Sequence, residues 1–126
     1  MSLNSKIYLT WENVEDLILI LVEKLKSENY NSIFGIPRGG LIPAVLLSHK
    51  LNIPITETIN ENTLVVDDIS DTGITLNGKY KNTATLHYRT TSIYKPTHFA
   101  SELFSDDWIV YPWEEKNSKS IQDYKL

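Results

Sequence analysis

The 126-residue chain contains no cysteine, which excludes disulfides, thiolate zinc sites and thiol catalysis. A chain of this length fits one domain and can bury a core that needs no covalent or metal staple. Long apolar runs are missing too. The longest, residues 17–22, is far too short to span a bilayer, and the opening MSLNSKIYLT lacks the apolar stretch of a secretory leader. The expectation is a soluble cytoplasmic protein with no membrane partner. Basic residues are also in the minority, leaving a formal net charge of −4. That argues against nucleic acid as a partner, since nonspecific binding draws on a broad basic face. A small anion is compatible with it, because a few local donors can hold phosphate inside an acidic protein.

Several nucleotide and metal motifs are absent. No Gly-x-Gly-x-x-Gly and no Gly-Lys-Ser/Thr occurs, so neither a Rossmann fingerprint nor a P-loop is available. An EF-hand counted from Asp67 would place Thr72 where the turn needs glycine and Gly78 where it needs glutamate. His49, His87 and His98 are scattered without metal-ligand spacing and read as structural or surface residues. No internal repeat or low-complexity linker divides the chain.

What is present is an alternation of short apolar strands and helices. Residues 11–27 read as a helix, with apolar positions at helical spacing and Thr10 as its N-cap. Leu19 and Ile20 widen its apolar face, which is then either covered or part of a subunit contact. Residues 32–36 read as a strand and 41–51 as a helix. Residues 53–58 are expected to be extended. A strand follows at 63–66, ending at two aspartates, then a short helix at about 73–80 and a strand at 83–88. Residues 101–106 read as a loop and 116–126 as a polar tail. The pattern predicts an α/β fold, a parallel sheet flanked by helices, with ligands at the carboxyl ends of the strands.

Two strand ends carry the chemistry. At the first, Gly35-Ile36-Pro37-Arg38-Gly39-Gly40 combines a tight glycine turn with a fixed cationic fork, a combination suited to an anion at a helix start. At the second, Asp67, Asp68 and Asp71 crowd three carboxylates into five residues. Such crowding repels unless a cation or hydrogen-bond donors compensate. Adjacent acids can accept from a vicinal diol or help hold hydrated Mg²⁺. Asp71-Thr72-Gly73 then offers a carboxylate, a hydroxyl and a flexible backbone where a monophosphate could sit.

The segment LVVDDISDTGITL, residues 64–76, resembles the 5-phosphoribosyl-1-pyrophosphate (PRPP) signature of type I phosphoribosyltransferases. IFGIPRGGLIPAVLLSHKLNIP looks like that family's pyrophosphate loop and the helix after it. Ile93-Tyr94-Lys95-Pro96, the run from Asp107 to Glu114 and the opening Ile7-Tyr8-Leu9-Thr10-Trp11 are similar to bacterial xanthine–guanine members. The resemblance covers about residues 7–114. It implies that Asp67 and Asp68 hold the ribose hydroxyls and Mg²⁺, and that Asp71 is the general base near purine N7. Thr72, Gly73 and Thr75 would cradle the 5′-phosphate, and Arg38 and Gly39 would meet pyrophosphate. Lys95 would donate to the purine 6-oxo group, Trp108 would stack on the ring, and the Ile109 backbone would read the 2-position.

The implied reaction transfers the 5-phosphoribosyl group of PRPP to guanine, xanthine or hypoxanthine, in a homodimer or homotetramer. The resemblance also implies a cis peptide at Pro37–Arg38. Relatives carry a long mobile hood before the PRPP strand, whereas here only ITETINENT separates Pro54 from Leu64. The hood is therefore expected to be missing. Its absence keeps a second reading open, a weakly active or non-catalytic nucleotide-binding regulator of the same fold.

Overall fold

The computed structural model describes residues 5–115, so the tail at 116–126 lies outside the described residues. Its elements run β1 (Lys6–Tyr8), α1 (Trp11–Leu25), β2 (Ser32–Gly35), α2 (Leu41–Leu51), β3 (Thr63–Ser70), β4 (Thr83–Arg89), β5 (His98–Leu103) and β6 (Trp108–Val110). Strands β2 to β5 form a sheet in the order β2-β3-β4-β5, every pair parallel. β1 and β6 pair separately, also in parallel, with Ile7 opposite Ile109.

Helix α1 forms where its apolar spacing and cap predict. The Thr10 hydroxyl accepts from Asn13 N at 3.0 Å, and Asn13 Oδ1 accepts from Thr10 N at 2.9 Å, a reciprocal cap for two otherwise orphaned donors. Val14, Ile18, Leu21 and Leu25 form its buried stripe, each worth about 1.5–3 kcal/mol relative to exposure. Leu19 and Ile20 are exposed. α1 packs on β4 and β5, α2 on β2 and β3, and the helices touch each other, so both cover one face of the sheet. Strand alternation then divides the core. Leu64 and Val66 join the helices, whereas Val65 points to the opposite face and meets Ile36 and Leu76.

Four expectations are corrected. β3 runs on through both aspartates to Ser70, because the ladder with β4 continues to Ser70 opposite Tyr88. The expected helix at 73–80 is a succession of turns. A single helical bond joins Asn77 N to Gly73 O, and Gly78 at φ 68° ends the winding. The extended stretch at 53–58 makes only an isolated bridge, Ile55 with Ile33. Residues 101–103 belong to edge strand β5 instead of a loop, because Ser101, Glu102 and Leu103 pair with β4. Between α2 and β3 no other element intervenes, as the short connection predicts.

Candidate active site

A cavity of about 460 Å³ opens at the carboxyl ends of β2, β3 and β4. Such a placement follows from the fold, since parallel strands leave their ends and the following loops to one edge of the sheet. Arg38 and Gly39 enter from the β2–α2 turn. Asp67, Asp68, Asp71, Thr72, Gly73 and Thr75 enter from β3 and the turns after it, and Trp108 and Ile109 from β6. Three stretches distant in sequence meet in one cavity.

The walls are tightly fitted. A Cβ added to Gly39 would lie 2.3 Å from Asp68 Oδ2, so only glycine lets the first turn lie against this carboxylate. Within that turn, Gly40 N bonds to Ile36 O at 2.8 Å and Leu41 N to Arg38 O at 3.2 Å. The Pro37–Arg38 peptide is cis. On β3, Asp67 Oδ1 accepts from Asp68 N and Asp68 Oδ1 from Ile69 N, both at 2.8 Å. These bonds tie each carboxylate to the backbone N–H of the residue that follows it. Gly73 adopts φ 89°, and a Cβ there would strike Ser92 Oγ at 2.5 Å.

The cavity's buried cation is Arg89, at the end of β4, which the sequence motifs did not single out. Its Nε donates to Asp71 Oδ1 at 2.5 Å, and its terminal nitrogens donate to the carbonyls of Ser105 and of Asp107, the latter at 2.8 Å. One guanidinium thus joins the acidic turn to the segment leading into Trp108. A lone arginine closing an apolar strand carries no local signature. Its only sequence clue is the excess of nearby carboxylate awaiting a counter-charge.

Lys95 is not brought into this cavity. It is exposed, and its ammonium lies 5.6 Å from the centre of the Phe99 ring. The stretch around it supports the acidic turn from outside. Ile93 N bonds to Thr72 O at 3.0 Å, and Ser70 Oγ donates to Tyr94 O at 2.8 Å. Thr83 and Tyr94 hydroxyls pair at 2.8 Å.

A second polar connection runs from the cavity wall itself, which Tyr111 and Trp113 also line. Tyr111, fully buried, has its hydroxyl 2.8 Å from His87 Nδ1 and 3.2 Å from the Asp68 carbonyl. Burial, then the charges of Asp68 and Asp67, holds the Tyr111 pKa well above 10, so the phenol stays protonated. Burial and then the nearby Arg89 cation lower His87 to about 4, so its ring is neutral near pH 7. Tyr111 stacks flat on Trp113, with centroids 4.9 Å apart. His98 bonds to the Tyr30 hydroxyl at 2.9 Å, a packing role.

Among the described residues, no three histidine or acidic side chains cluster as a metal site, and no helix is long and apolar enough to cross a membrane. Asp67 and Asp68 nevertheless present the hard oxygen donors that Mg²⁺ takes.

No protein-family model matches the chain. A solved purine phosphoribosyltransferase from Pyrococcus horikoshii is 32% identical, with a TM-score of 0.76 over 93% of this chain and 98% of that one. The xanthine-guanine phosphoribosyltransferase of Idiomarina loihiensis is 27% identical over 144 aligned positions, 88% of each protein. The structure of a Helicobacter pylori xanthine-guanine-hypoxanthine phosphoribosyltransferase shares the fold at 20% identity, with a TM-score of 0.73 over 86% of this chain. Similarity that spans nearly the whole chain, in both sequence and backbone, places it in the type I phosphoribosyltransferase family, alongside purine and xanthine–guanine members.

Proposed function

We propose that the protein transfers the 5-phosphoribosyl group of PRPP to a 6-oxopurine and releases pyrophosphate. The observation that carries this reading is the convergence of Arg38, the Asp67–Thr75 segment and Trp108–Ile109 on one cavity. The named activities of the Pyrococcus and Idiomarina proteins support it.

In this reading the 5′-phosphate sits in the turn of Thr72, Gly73 and Thr75. The ribose hydroxyls bond to Asp67 and Asp68, and pyrophosphate meets Arg38 and the backbone of Gly39. Asp67 and Asp68 would hold Mg²⁺, which would supply positive charge to the leaving pyrophosphate. The purine stacks on Trp108. Arg89 replaces Lys95 as the donor for the 6-oxo group, because it lines the cavity and Lys95 does not. A donor there favours an oxo group over an amino group, since donor facing donor leaves both unpaired.

The bond between C1′ and the pyrophosphate oxygen breaks and a purine ring nitrogen forms the new bond to C1′. The electron pair leaves with pyrophosphate, where Arg38 and the loop N–H groups act most strongly. Asp71, one oxygen held by Arg89 and its side chain 32% exposed, takes the purine proton. Positioning of two bound substrates supplies much of the acceleration.

One observation favours a second reading. The connection between α2 and β3 carries no arm to close over the reacting centre, and closure excludes water. A nucleotide-binding regulator with little turnover accounts for that. Mixing guanine, PRPP and Mg²⁺ and following pyrophosphate separates the two. Release that Asp71→Asn abolishes supports transfer, whereas tight GMP binding without release selects the regulator.

A further inference from the structure

Tyr111 follows directly on β6, the strand that brings Trp108 and Ile109 to the cavity. Its single hydroxyl contacts two other strands of the site, β4 at His87 and β3 at the Asp68 carbonyl. Packing alone does not call for that hydroxyl. The ring is buried and stacked on Trp113, and phenylalanine would fill the same space without a polar group to satisfy.

The contact with Asp68 reaches further than one carbonyl. The Asp68 carbonyl and the Ile69 N–H are two ends of one planar peptide unit. Tyr111 holds the oxygen end at 3.2 Å, and the N–H end donates to Asp68 Oδ1 at 2.8 Å. The peptide whose N–H holds the Asp68 carboxylate is therefore the one through which Tyr111 fastens the end of β6 to β3. On its other side the same tyrosine is covalently continuous with Trp108 and Ile109.

We infer that Tyr111 is a positioning residue that sets the purine side of the cavity in register with its ribose side, through its hydroxyl and the His87 partner. This rests on the reading of the cavity as a purine ribonucleotide site. A ligand that spans both sides gains from the hydroxyl, and a ligand confined to the ribose and phosphate side gains far less. His87 contributes by fixing the hydroxyl's direction, so the two residues act as one unit.

The test compares two probes, GMP and ribose 5-phosphate, by calorimetry on the full chain with Mg²⁺ present. Tyr111→Phe removes the hydroxyl's bonds to His87 and to the Asp68 carbonyl, and should weaken GMP about fivefold to tenfold while leaving ribose 5-phosphate within about twofold. His87→Leu should reproduce that loss, and the double variant should lose no more than either alone. Equal weakening of both probes, or GMP affinity unchanged in Tyr111→Phe, would overturn the inference, as would full additivity of the two substitutions. Wild-type protein that binds ribose 5-phosphate but not GMP instead sinks the purine reading on which it stands.

Discussion

Arg89 Nε lies 2.5 Å from Asp71 Oδ1, and the same guanidinium holds the carbonyls of Ser105 and Asp107. A buried cation therefore orients the proposed base and fastens the segment that precedes the proposed stacking tryptophan. The planar fork matters here, because three acceptors in different directions suit a guanidinium and not an ammonium.

Arg89→Lys should consequently lower kcat/KM for the purine by roughly tenfold or more, the loss of one or two charge-assisted hydrogen bonds. The KM for PRPP should change little. Steady-state pyrophosphate release checks both, and a variant with wild-type purine kinetics would remove Arg89 from the site.

Lys95 and Trp108 should behave in opposite ways. Lys95 is exposed outside the cavity, so Lys95→Ala should leave GMP affinity within about twofold of wild type, as for ordinary surface substitutions. Trp108→Ala should weaken it by about tenfold or more, the scale of base–aromatic stacking. Titration of GMP into each variant decides the matter. A large loss at Lys95 restores the assignment suggested by sequence resemblance.

Gly39→Ala tests the fit of the first turn against β3. Its methyl would fall 2.3 Å from Asp68 Oδ2, and the movable partner is the carboxylate end of a side chain. The expected result is displacement of Asp68 with the fold retained. The KM for PRPP should rise by about tenfold or more, since misplacing a binding group by an ångström is that costly, with little change in melting temperature. A variant that unfolds, or one with unaltered KM, contradicts this account.

Acid should expose the buried histidine. The unfolded chain protonates His87 near 6.5, whereas the folded chain resists until about 4. The folded state therefore has its full stability above pH 6.5 and loses it progressively as pH falls towards 4. Between pH 7 and pH 5 the His87 share is on the order of 2 kcal/mol. His98, lowered chiefly by burial, acts in the same direction. Urea midpoints measured at pH 5, 6 and 7 should show a flatter slope for His87→Gln. An unchanged slope would mean that His87 is already protonated in the fold.

Much of the fold was legible because its signals are local. The stripe from Val14 to Leu25, the Thr10 cap and the β-branched run at 63–66 each report conformation from neighbours within a few residues. The two strand-end motifs were legible for the same reason. The helix expected at 73–80 failed near both ends, since Gly73 at φ 89° and Gly78 at φ 68° leave the right-handed helical region. The reach of β3 past its aspartates was hidden because pairing with β4, not side-chain polarity, decides where a strand ends.

Local sequence chemistry sufficed for the three carboxylates, the glycine turns and the succession of β2, α2 and the start of β3, all of which depend on residues adjacent in the chain. Charge compensation did not have that property. Asp71 meets Arg89 across 18 residues, and Asp68 meets Tyr111 across 43. Those partners arise from strand order and from the pairing of β6 with β1, long-range choices made by the packed core. The placement of Arg89 at the cavity and of Lys95 outside it belongs to the same class, because side chains only a few residues apart can face different surfaces once the strand that precedes them has ended.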